Sequence, residues 1–267
     1  MNSSTLVPPF WQKKYKDEAG RNWDKFYHRN STHFFKDRHW TDREFEELRP
    51  GHDTFSELKN PVLLEIGCGV GNFIWPVLER NPSLFIHACD FSPRAIDHVK
   101  ANSNYSTDPP RCNAFVCDIT KDRLADLIPP QSVDIVSAIF VLSALPPEKQ
   151  AFAVSNIVEI MKPGGRILFR DYGVDDLAQL RFKDGHKLED NLYVRQDGTL
   201  SYYFSTERLR DLFVRHGGLV ELANEYIVRR LVNVKKEIDS DRVFAQAKFQ
   251  VPIDTSAIES ALTSTFI

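Results

Sequence analysis

The chain has 267 residues, with 42% hydrophobic and 27% charged side chains and a formal net charge of -3 at pH 7. These values are ordinary for a globular protein with one substantial core, and they exclude an overall excess of positive charge. The longest apolar run, around residues 135–145, is too short and too interrupted to span a bilayer. We therefore expect a soluble protein with one main domain and additions to it.

The first 50 residues are predicted to form an N-terminal arm that is basic and aromatic. Residues 11–43 contain nine basic and five acidic side chains, whereas residues 51–169 contain ten basic and thirteen acidic ones. Cations neutralise phosphates and aromatic rings stack on unpaired bases, so this composition favours an RNA-binding surface. The aromatic residues of the arm are Phe10, Trp11, Tyr15, Trp23, Phe26, Tyr27, Phe34, Phe35 and Trp40.

No targeting signal is recognised near the start of the sequence. Residues 1–10 lack the charged-then-apolar order of a secretory signal, and Asp17 and Glu18 argue against a mitochondrial presequence. We therefore expect cytoplasmic localisation, with the nucleus as a further compartment.

Residues 51–252 are predicted to form the main domain, because strand-like and helix-like segments alternate there. Such alternation predicts right-handed crossovers and a parallel sheet covered by helices on both faces. Two closing strands joined by a charged hairpin predict an antiparallel end, a polar insertion lies near residues 181–203, and residues 253–267 are expected to be a flexible tail. The predicted strands are 62–66, 84–89, 113–117, 133–140, 166–170, 220–232 and 242–249, and the predicted helices are 72–80, 93–102, 147–162 and 206–216.

Capping and turn residues define several of these boundaries. Asn72 and Ser92 are predicted N-caps, with Pro93 in a first helical turn, and Thr120 is the predicted cap of a short helix. The run Lys162-Pro163-Gly164-Gly165 is the expected end of the helix before the fifth strand.

The most informative motif is L-L-E-I-G-C-G-V-G-N at residues 63–72, an apolar run followed by three alternate glycines. Glycines let the backbone turn tightly and approach a ligand, and Asp90 at the next strand end is placed to hold ribose hydroxyls. The third glycine comes one residue too early for the dinucleotide fingerprint G-x-G-x-x-G, which makes a nicotinamide oxidoreductase less favoured. The motif instead resembles the S-adenosylmethionine site of class I methyltransferases, in which an acidic residue precedes G-x-G-x-G and a second one contacts the adenine. That resemblance implies an α/β fold with a Rossmann-like seven-stranded sheet whose last strand is antiparallel, here with an N-terminal helical arm.

Four further sequence blocks surround the glycine motif. They are N-W-D-K-F-Y at 22–27, F-F-K-D-R-H-W at 34–40, A-C-D-F-S-P-R-A-I at 88–96 and F-R-D-Y-G at 169–173. Together they resemble the tRNA 3-methylcytidine methyltransferases of the methyltransferase-like family. The similarity extends from about residue 22 to residue 249, with Y-V-R-Q-D-G-T at 193–199, and the second block is not part of the general methyltransferase pattern.

The resemblance also implies a substrate and a partner. The family methylates N3 of cytidine 32 in the anticodon loop of serine and threonine tRNAs. The run R-N-S-T at residues 29–32 resembles the branch that acts on serine tRNAs with seryl-tRNA synthetase. We therefore expect S-adenosyl-L-methionine as cofactor, a serine tRNA as substrate and the synthetase as partner, with threonine tRNAs as the alternative.

Residue by residue, the resemblance implies that Trp23 and Tyr27 close over the cofactor, Asp90 binds the ribose, Asp118 with its neighbour takes the adenine and Ile139 lies beneath. Aromatic faces stabilise a sulfonium cation once water is excluded, which agrees with these roles. The alternatives are that Trp23 and Tyr27 simply pack along one helix, that Asp90 supplies a charge at a helix N-terminus, and that His39 is a structural histidine. The predicted cofactor-binding set is Trp23, Tyr27, His39, Glu65, Gly67, Cys68, Gly69, Asp90, Phe91, Asp118, Ile119 and Ile139.

Asp171, at the carboxyl end of a predicted strand, is the candidate catalytic residue. A carboxylate there would stabilise the positive charge that methylation creates on the cytosine ring. Pairing with Arg170 or capping of the next turn is the alternative. The segment Phe140-Val141-Leu142-Ser143 lacks the N/D-P-P-Y/F motif of many amine methyltransferases, so that mechanism is not assumed.

Basic side chains from three parts of the chain are candidate phosphate contacts. Alternatively, these side chains are simply solvated or form ion pairs on the surface. Two rival functions use the same fold: a small-molecule methyltransferase with the arm as a lid, and a noncatalytic tRNA-binding or synthetase-adaptor protein. The four cysteines lack the spacing of a zinc site, so we expect no metal. The candidate RNA-binding residues are Lys36, Arg38, Arg195, Arg229 and Arg230.

Overall fold

The computed structural model describes residues 6–30, 34–52, 58, 60–233 and 238–253. The strands of this part follow one another along the chain, with the longest at the C-terminal end. They are β1 (Val62–Ile66), β2 (Phe85–Asp90), β3 (Cys112–Val116), β4 (Val133–Ile139), β5 (Met161–Tyr172), β6 (Lys187–Glu189), β7 (Leu192–Val194), β8 (Leu200–Tyr202), β9 (Val220–Asn233) and β10 (Ile238–Gln250).

Seven strands form one sheet in the order β3-β2-β1-β4-β5-β10-β9. Strands β1 to β5 are parallel to one another, whereas β10 is antiparallel to both β5 and β9. All seven residues of the central strand β4 are buried, as expected for a strand covered on both faces. The predicted class I methyltransferase topology, with its last strand antiparallel, is therefore confirmed.

The helices of the described residues fall into two groups, those of the N-terminal arm and those that cover the sheet. Ser92 caps one of the covering helices, since its Oγ accepts a hydrogen bond from the Ala95 amide at 3.3 Å, and Pro93 occupies the first turn as predicted. The α-helices are α1 (Pro9–Asp17), α2 (Ala19–Asn30), α3 (Thr41–Glu44), α4 (Ile74–Arg80), α5 (Pro93–Lys100), α6 (Pro147–Ile160), α7 (Leu177–Leu180) and α8 (Thr206–Leu209), the last continued by a π-helix over Arg210–His216.

The predicted helix stop at residues 162–165 is wrong. Helix α6 ends at Ile160, and β5 begins directly at Met161, which pairs with Val133. The glycines of this run lie inside β5 beside an irregularity in its register with β4. A glycine with a φ of +78° at Gly164 lets the strand bend there without a break.

Two other predicted caps also serve different purposes. Asn72 does not cap α4; its amide donates instead to Asp37 in the arm at 3.0 Å. Thr120 caps no helix, because its hydroxyl donates to Asp118 at 2.6 Å within a turn. The short helix that follows is a 3-10 turn at Leu124–Asp126.

The polar insertion forms a small antiparallel sheet of β6, β7 and β8. Its Leu188, Leu192, Val194 and Leu200 side chains are buried in the main hydrophobic core, so the insertion is a packed part of the fold. It also contacts the N-terminal arm, where the Val7 amide donates to the Lys187 carbonyl at 2.9 Å.

The predicted division at residues 50 and 252 stays a prediction. Residues 234–237, within the predicted charged hairpin, and the residues from 254 onward lie outside the described residues. Within the described part, no helix is both long enough and apolar enough to cross a membrane, and no group of three or more His, Cys, Asp or Glu side chains is arranged to hold a metal ion.

Candidate cofactor and substrate site

The glycine motif forms the turn between β1 and α4. Gly67 and Gly69 have φ angles of +59° and +54°, which glycine adopts at little cost. A Cβ atom on Gly67 would lie 2.4 Å from Val141 Cγ2, and one on Gly69 would lie 2.9 Å from Tyr27 Oη. Both positions therefore require glycine for its backbone angle and because other residues approach closely.

A cavity of about 790 Å³, its open mouth included, lies at the carboxyl ends of β1 to β4. This is the edge at which ligands bind in open parallel sheets. One wall comes from the arm and the other from the loops that follow the strands. Seven of the predicted cofactor residues line it: Trp23, Tyr27, Gly67, Asp90, Phe91, Asp118 and Ile119.

Asp90 connects the glycine turn with the start of α5. One carboxylate oxygen accepts from the Gly69 amide at 2.9 Å, and the other accepts from the Ser92 amide at 2.9 Å. Burial raises the pKa of Asp90 to about 6, although these two hydrogen bonds act in the opposite direction. Asp90 thus both orders the turn and faces the cavity, where its remaining lone pairs can accept hydroxyl hydrogen bonds.

Asp118 begins the turn that forms another wall of the cavity. It accepts hydrogen bonds from the Thr120 amide at 3.0 Å and from its hydroxyl, and pairs with Lys121 at 2.9 Å. Burial opposes ionisation, but the contacts with Thr120 and Lys121 outweigh it and hold the pKa of Asp118 below its usual value. Ile119 and Cys117 add apolar surface, which suits the face of an adenine ring.

The aromatic wall comes from helix α2. The rings of Trp23 and Tyr27 lie 6.1 Å apart, and Phe26 packs on both. The Trp23 Nε1 atom is buried and has no hydrogen-bond partner among the described residues, although its side chain lines the cavity. Burial, together with the nearby Asp90, raises the pKa of Tyr27 well above its usual value, so the phenol stays neutral.

Glu65 lies directly beneath this site and does not line it. Its side chain is 3% exposed, its Oε1 atom lies 3.9 Å from Arg38 Nη1, and Oε2 has no hydrogen-bond partner among the described residues. Burial raises the pKa of Glu65 to about 8, which Arg38 only partly offsets. Without a ligand, this carboxyl group is therefore mostly protonated at neutral pH.

Four other predicted cofactor residues do not line the cavity. Cys68 and Gly69 belong to the turn behind its surface, and Cys68 is buried. Ile139 is buried in the core, and its carbonyl accepts a hydrogen bond from Arg38 at 3.2 Å. His39 is exposed and lines a separate depression with Trp75, so its alternative assignment outside the cofactor site fits the geometry better.

The loop after β4 supplies a wall that sequence analysis placed one residue too early. Phe140 and Val141, rather than Ile139, line the cavity. Phe140 has a φ of +57°, a costly angle for a residue with a side chain, and its amide donates to the Arg170 carbonyl at 2.8 Å. Its ring packs against Tyr172, with centroids 5.4 Å apart.

Further residues that line the cavity were missed, and those contributed by the arm have no local signal. Those after β3 and β4 could have been inferred from their neighbours in sequence, but the docking of α1 over the cavity depends on long-range contacts. The missed residues are Lys16, Asp17, Ala19, Gly20, Cys117, Thr120, Lys121, Phe140, Val141, Ala144, Leu145, Pro146 and Lys149.

Asp171 is fully buried and does not line the cavity. Its two oxygens accept hydrogen bonds from the amides of Ser143 and Tyr172, each at 2.9 Å. Burial raises its pKa to about 6. These contacts match the capping alternative, since Asp171 fixes the loop that carries Phe140.

The candidate RNA-binding cations differ in their environments. Lys36 is exposed, whereas Arg38 is mostly buried between Glu65 and the end of β4. Arg229 is exposed but pairs with Glu44 at 2.7 Å. Arg230 is exposed at a strand position that pairs with Asp241.

Arg195 lies in the insertion and braces its own hairpin. Its guanidinium donates to the Leu200 carbonyl and the Ser201 hydroxyl, both at 3.1 Å. It also lines a surface depression with three further side chains that can carry positive charge, Arg181, Lys183 and His186.

The site has the features that a cationic nucleoside ligand requires. Aromatic rings and apolar side chains cover it, a buried indole N–H is available, and carboxylates lie at two of its edges. No side chain at Gly67 narrows the floor.

Several known proteins resemble this chain in sequence or in fold, and they are methyltransferases. Residues 64–167 match the family model described as a methyltransferase domain. The tRNA N(3)-cytidine methyltransferase METTL6 of Homo sapiens is 54% identical over 248 residues, which cover 93% of this chain and 86% of the relative. The tRNA N(3)-methylcytidine methyltransferase trm141 of Schizosaccharomyces pombe is 44% identical over 253 residues, which cover 92% of this chain and 98% of the relative.

Among solved structures, the 1,6-didemethyltoxoflavin-N1-methyltransferase of Burkholderia thailandensis, with bound S-adenosylhomocysteine, has a TM-score of 0.55 at 16% identity and covers 94% of this chain and 93% of that chain. By its sequence, its sheet topology and its site, the chain belongs to the family of tRNA N(3)-cytidine methyltransferases.

Proposed function

We propose that this chain methylates N3 of cytidine 32 in the anticodon loop of serine tRNAs, using S-adenosylmethionine and acting together with seryl-tRNA synthetase. The observation that carries the proposal is a cavity at the carboxyl ends of the parallel strands whose aromatic wall belongs to the arm. Identity of 54% to a tRNA N(3)-cytidine methyltransferase supports the choice of base and atom. The cytoplasm, with the nucleus as a further compartment, is the proposed location.

The chemistry of the base fits a site built for positioning. Cytidine N3 carries an in-plane lone pair, so no strong base is needed before the methyl group is attacked, and alignment dominates the rate. The base must leave its stack and present its Watson–Crick edge. Trp23 and Tyr27 exclude water on one side of the cavity, and the loop held by Asp171 does so on the other.

Positive charge moves onto the cytosine ring as N3 bonds to the methyl group and the methyl–sulfur bond breaks, and the exocyclic amine can then release a proton to water. We keep Asp171 as the candidate for stabilising that charge, acting from behind the Phe140 loop rather than from the cavity surface. Asp171 would act as a positioning residue, because it holds the loop that carries Phe140. Asp171→Asn should therefore lower the rate of methyl transfer more than it lowers cofactor affinity, which single-turnover kinetics and calorimetry separate.

An RNA surface beside the cavity is supported by the arm itself. Phe34 is 58% exposed and Phe35 is 40% exposed, and the centroids of their rings lie 4.8 Å apart. Lys36 follows directly and is exposed. Exposed rings next to a cation favour an unstacked base and its phosphate.

Preference for serine over threonine tRNAs, and the synthetase partner, derive from the R-N-S-T run at 29–32. Its residues 31–32 lie outside the described part of the chain. The sister branch that acts on threonine tRNAs is the alternative outcome.

A direct test uses labelled S-adenosylmethionine with purified serine and threonine tRNAs, each with and without seryl-tRNA synthetase. We expect labelled 3-methylcytidine in serine tRNA, increased by the synthetase. Label confined to threonine tRNA would assign the chain to the sister branch. Methyl transfer to metabolites but to no RNA would support the small-molecule alternative and overturn the proposal.

A further inference from the structure

One cation links the cofactor cavity to both neighbouring parts of the fold. Lys16, in α1, lines the cavity, and its ammonium pairs with Glu148 of α6 at 3.3 Å and with Glu189 of β6. Only 16% of the Lys16 side chain is exposed, so water screens these pairs less than it screens ordinary surface pairs. We call these three residues the Lys16 junction.

Glu189 contacts Lys16, which lines the cavity, but does not line the cavity itself. It belongs to the insertion and is not among the cavity-lining residues. The insertion meets the arm at two more points: the Val7 amide donates to the Lys187 carbonyl at 2.9 Å, and Asn22 donates to the Gly198 carbonyl at 2.9 Å. The small sheet therefore supports the two helices that form the cavity's arm wall.

The other cations near α1 do not duplicate this link. Lys13 pairs with Asp17 on the same helix, and Lys121 pairs with Asp118 on the core side. Lys149 lines the cavity from α6. Among these side chains, Lys16 alone joins the arm, the core and the insertion.

We propose that Glu189 is a positioning residue for the cofactor: by holding Lys16, it keeps α1 closed over the cavity, so the insertion sets how long the cofactor stays bound. Loss of Glu189 leaves Lys16 paired with Glu148, so the cavity remains formed while its wall opens more often. The inference rests on the cofactor assignment within the proposed function and is independent of the choice of tRNA.

The test measures dissociation of S-adenosylhomocysteine by stopped-flow fluorescence in the absence of RNA. We expect Glu189→Gln to release it about two- to fivefold faster, which is the range of a partly exposed ion pair, with little change in association rate. Asp190→Asn is the matched control, because Asp190 is 94% exposed and pairs with Lys187 of the same sheet. Its rate should equal that of the wild type.

A double-mutant cycle tests whether Glu189 acts through Lys16. In a Lys16→Met background, Glu189→Gln should add no further acceleration. A dissociation rate unchanged by Glu189→Gln, or a full additional effect in the Lys16→Met background, would overturn the inference. A general structural role would instead lower the melting temperature and change association and dissociation together. Failure of tRNA methylation would leave these rates unaffected, so the two proposals fail separately.

Discussion

Replacement of Glu65 by glutamine should stabilise the ligand-free protein in a pH-dependent way. The wild-type carboxyl is fully buried, and its pKa is raised from an ordinary 4.5 to about 8. Burial of the ionised form therefore costs about 5 kcal/mol relative to an unperturbed carboxyl, at about 1.4 kcal/mol per pH unit. Glutamine keeps the shape of the protonated side chain and cannot ionise.

The direction of this pH dependence follows from the number of protons bound in the folded and the unfolded state. Between pH 4.5 and pH 8, the folded protein holds a proton on Glu65 that the unfolded chain releases, so wild-type stability falls as pH rises through this window. The glutamine variant lacks this contribution. Its advantage in unfolding free energy should grow by about 3 kcal/mol between pH 5.5 and pH 8. Asp171 titrates in both proteins, and its effect cancels in the difference. The Asp90 charge raises the pKa of Glu65, so its interaction with Glu65 is part of the measured difference.

Urea unfolding of both proteins at pH 5.5, 6.5, 7.5 and 8 measures this difference, with unchanged m-values as a check. Glu79→Gln, on an exposed position of α4, controls for the loss of a carboxylate as such and should show no comparable pH dependence. A difference between wild type and Glu65→Gln that stays constant over the range would refute the assigned burial of the ionisable group.

Three further substitutions test other parts of the site. Gly67→Ala should lower stability by about 2 kcal/mol or more and weaken S-adenosylhomocysteine binding in calorimetry, whereas Gly185→Ala, with a φ of +81° but open space around it, should show only the backbone cost. Asn22→Ala removes the hydrogen bond to the Gly198 carbonyl and should cost about 1–2 kcal/mol, seen as faster amide exchange in α2; unchanged exchange would contradict the arm–insertion contact. Arg195→Ala should reduce the salt dependence of tRNA binding by about one charge while Arg195→Lys retains it, and an unchanged slope in the alanine variant would remove Arg195 from the RNA surface.

The sheet could be predicted because its signals are local. Buried strands appear as short apolar runs, and the glycine motif with Asp90 places the site at the sheet edge. The run Lys162–Gly165 misled the prediction, because the same residues that end a helix also form an irregular strand once a partner strand is present. Pairing partners are set by distant segments, which local pattern does not reveal.

The same reason limited the prediction of the site. Arg38 has the sequence context of an RNA contact, yet it is mostly buried between Glu65 and the Ile139 carbonyl. Lys16 gave no signal, because its importance depends on two acidic residues more than 130 positions away. Side chains that join separate elements acquire their roles only when the elements pack together.

Methyl transfer to N3 of cytidine 32 is tested most directly by nucleoside mass spectrometry of a tRNA methylated by the purified protein. A serine tRNA and its variant with uridine at position 32 would be compared under identical conditions, with seryl-tRNA synthetase present. We predict one 3-methylcytidine per serine tRNA and none in the variant. Equal methylation of both RNAs, a different methylated nucleoside, or no RNA product despite cofactor binding would contradict the claim.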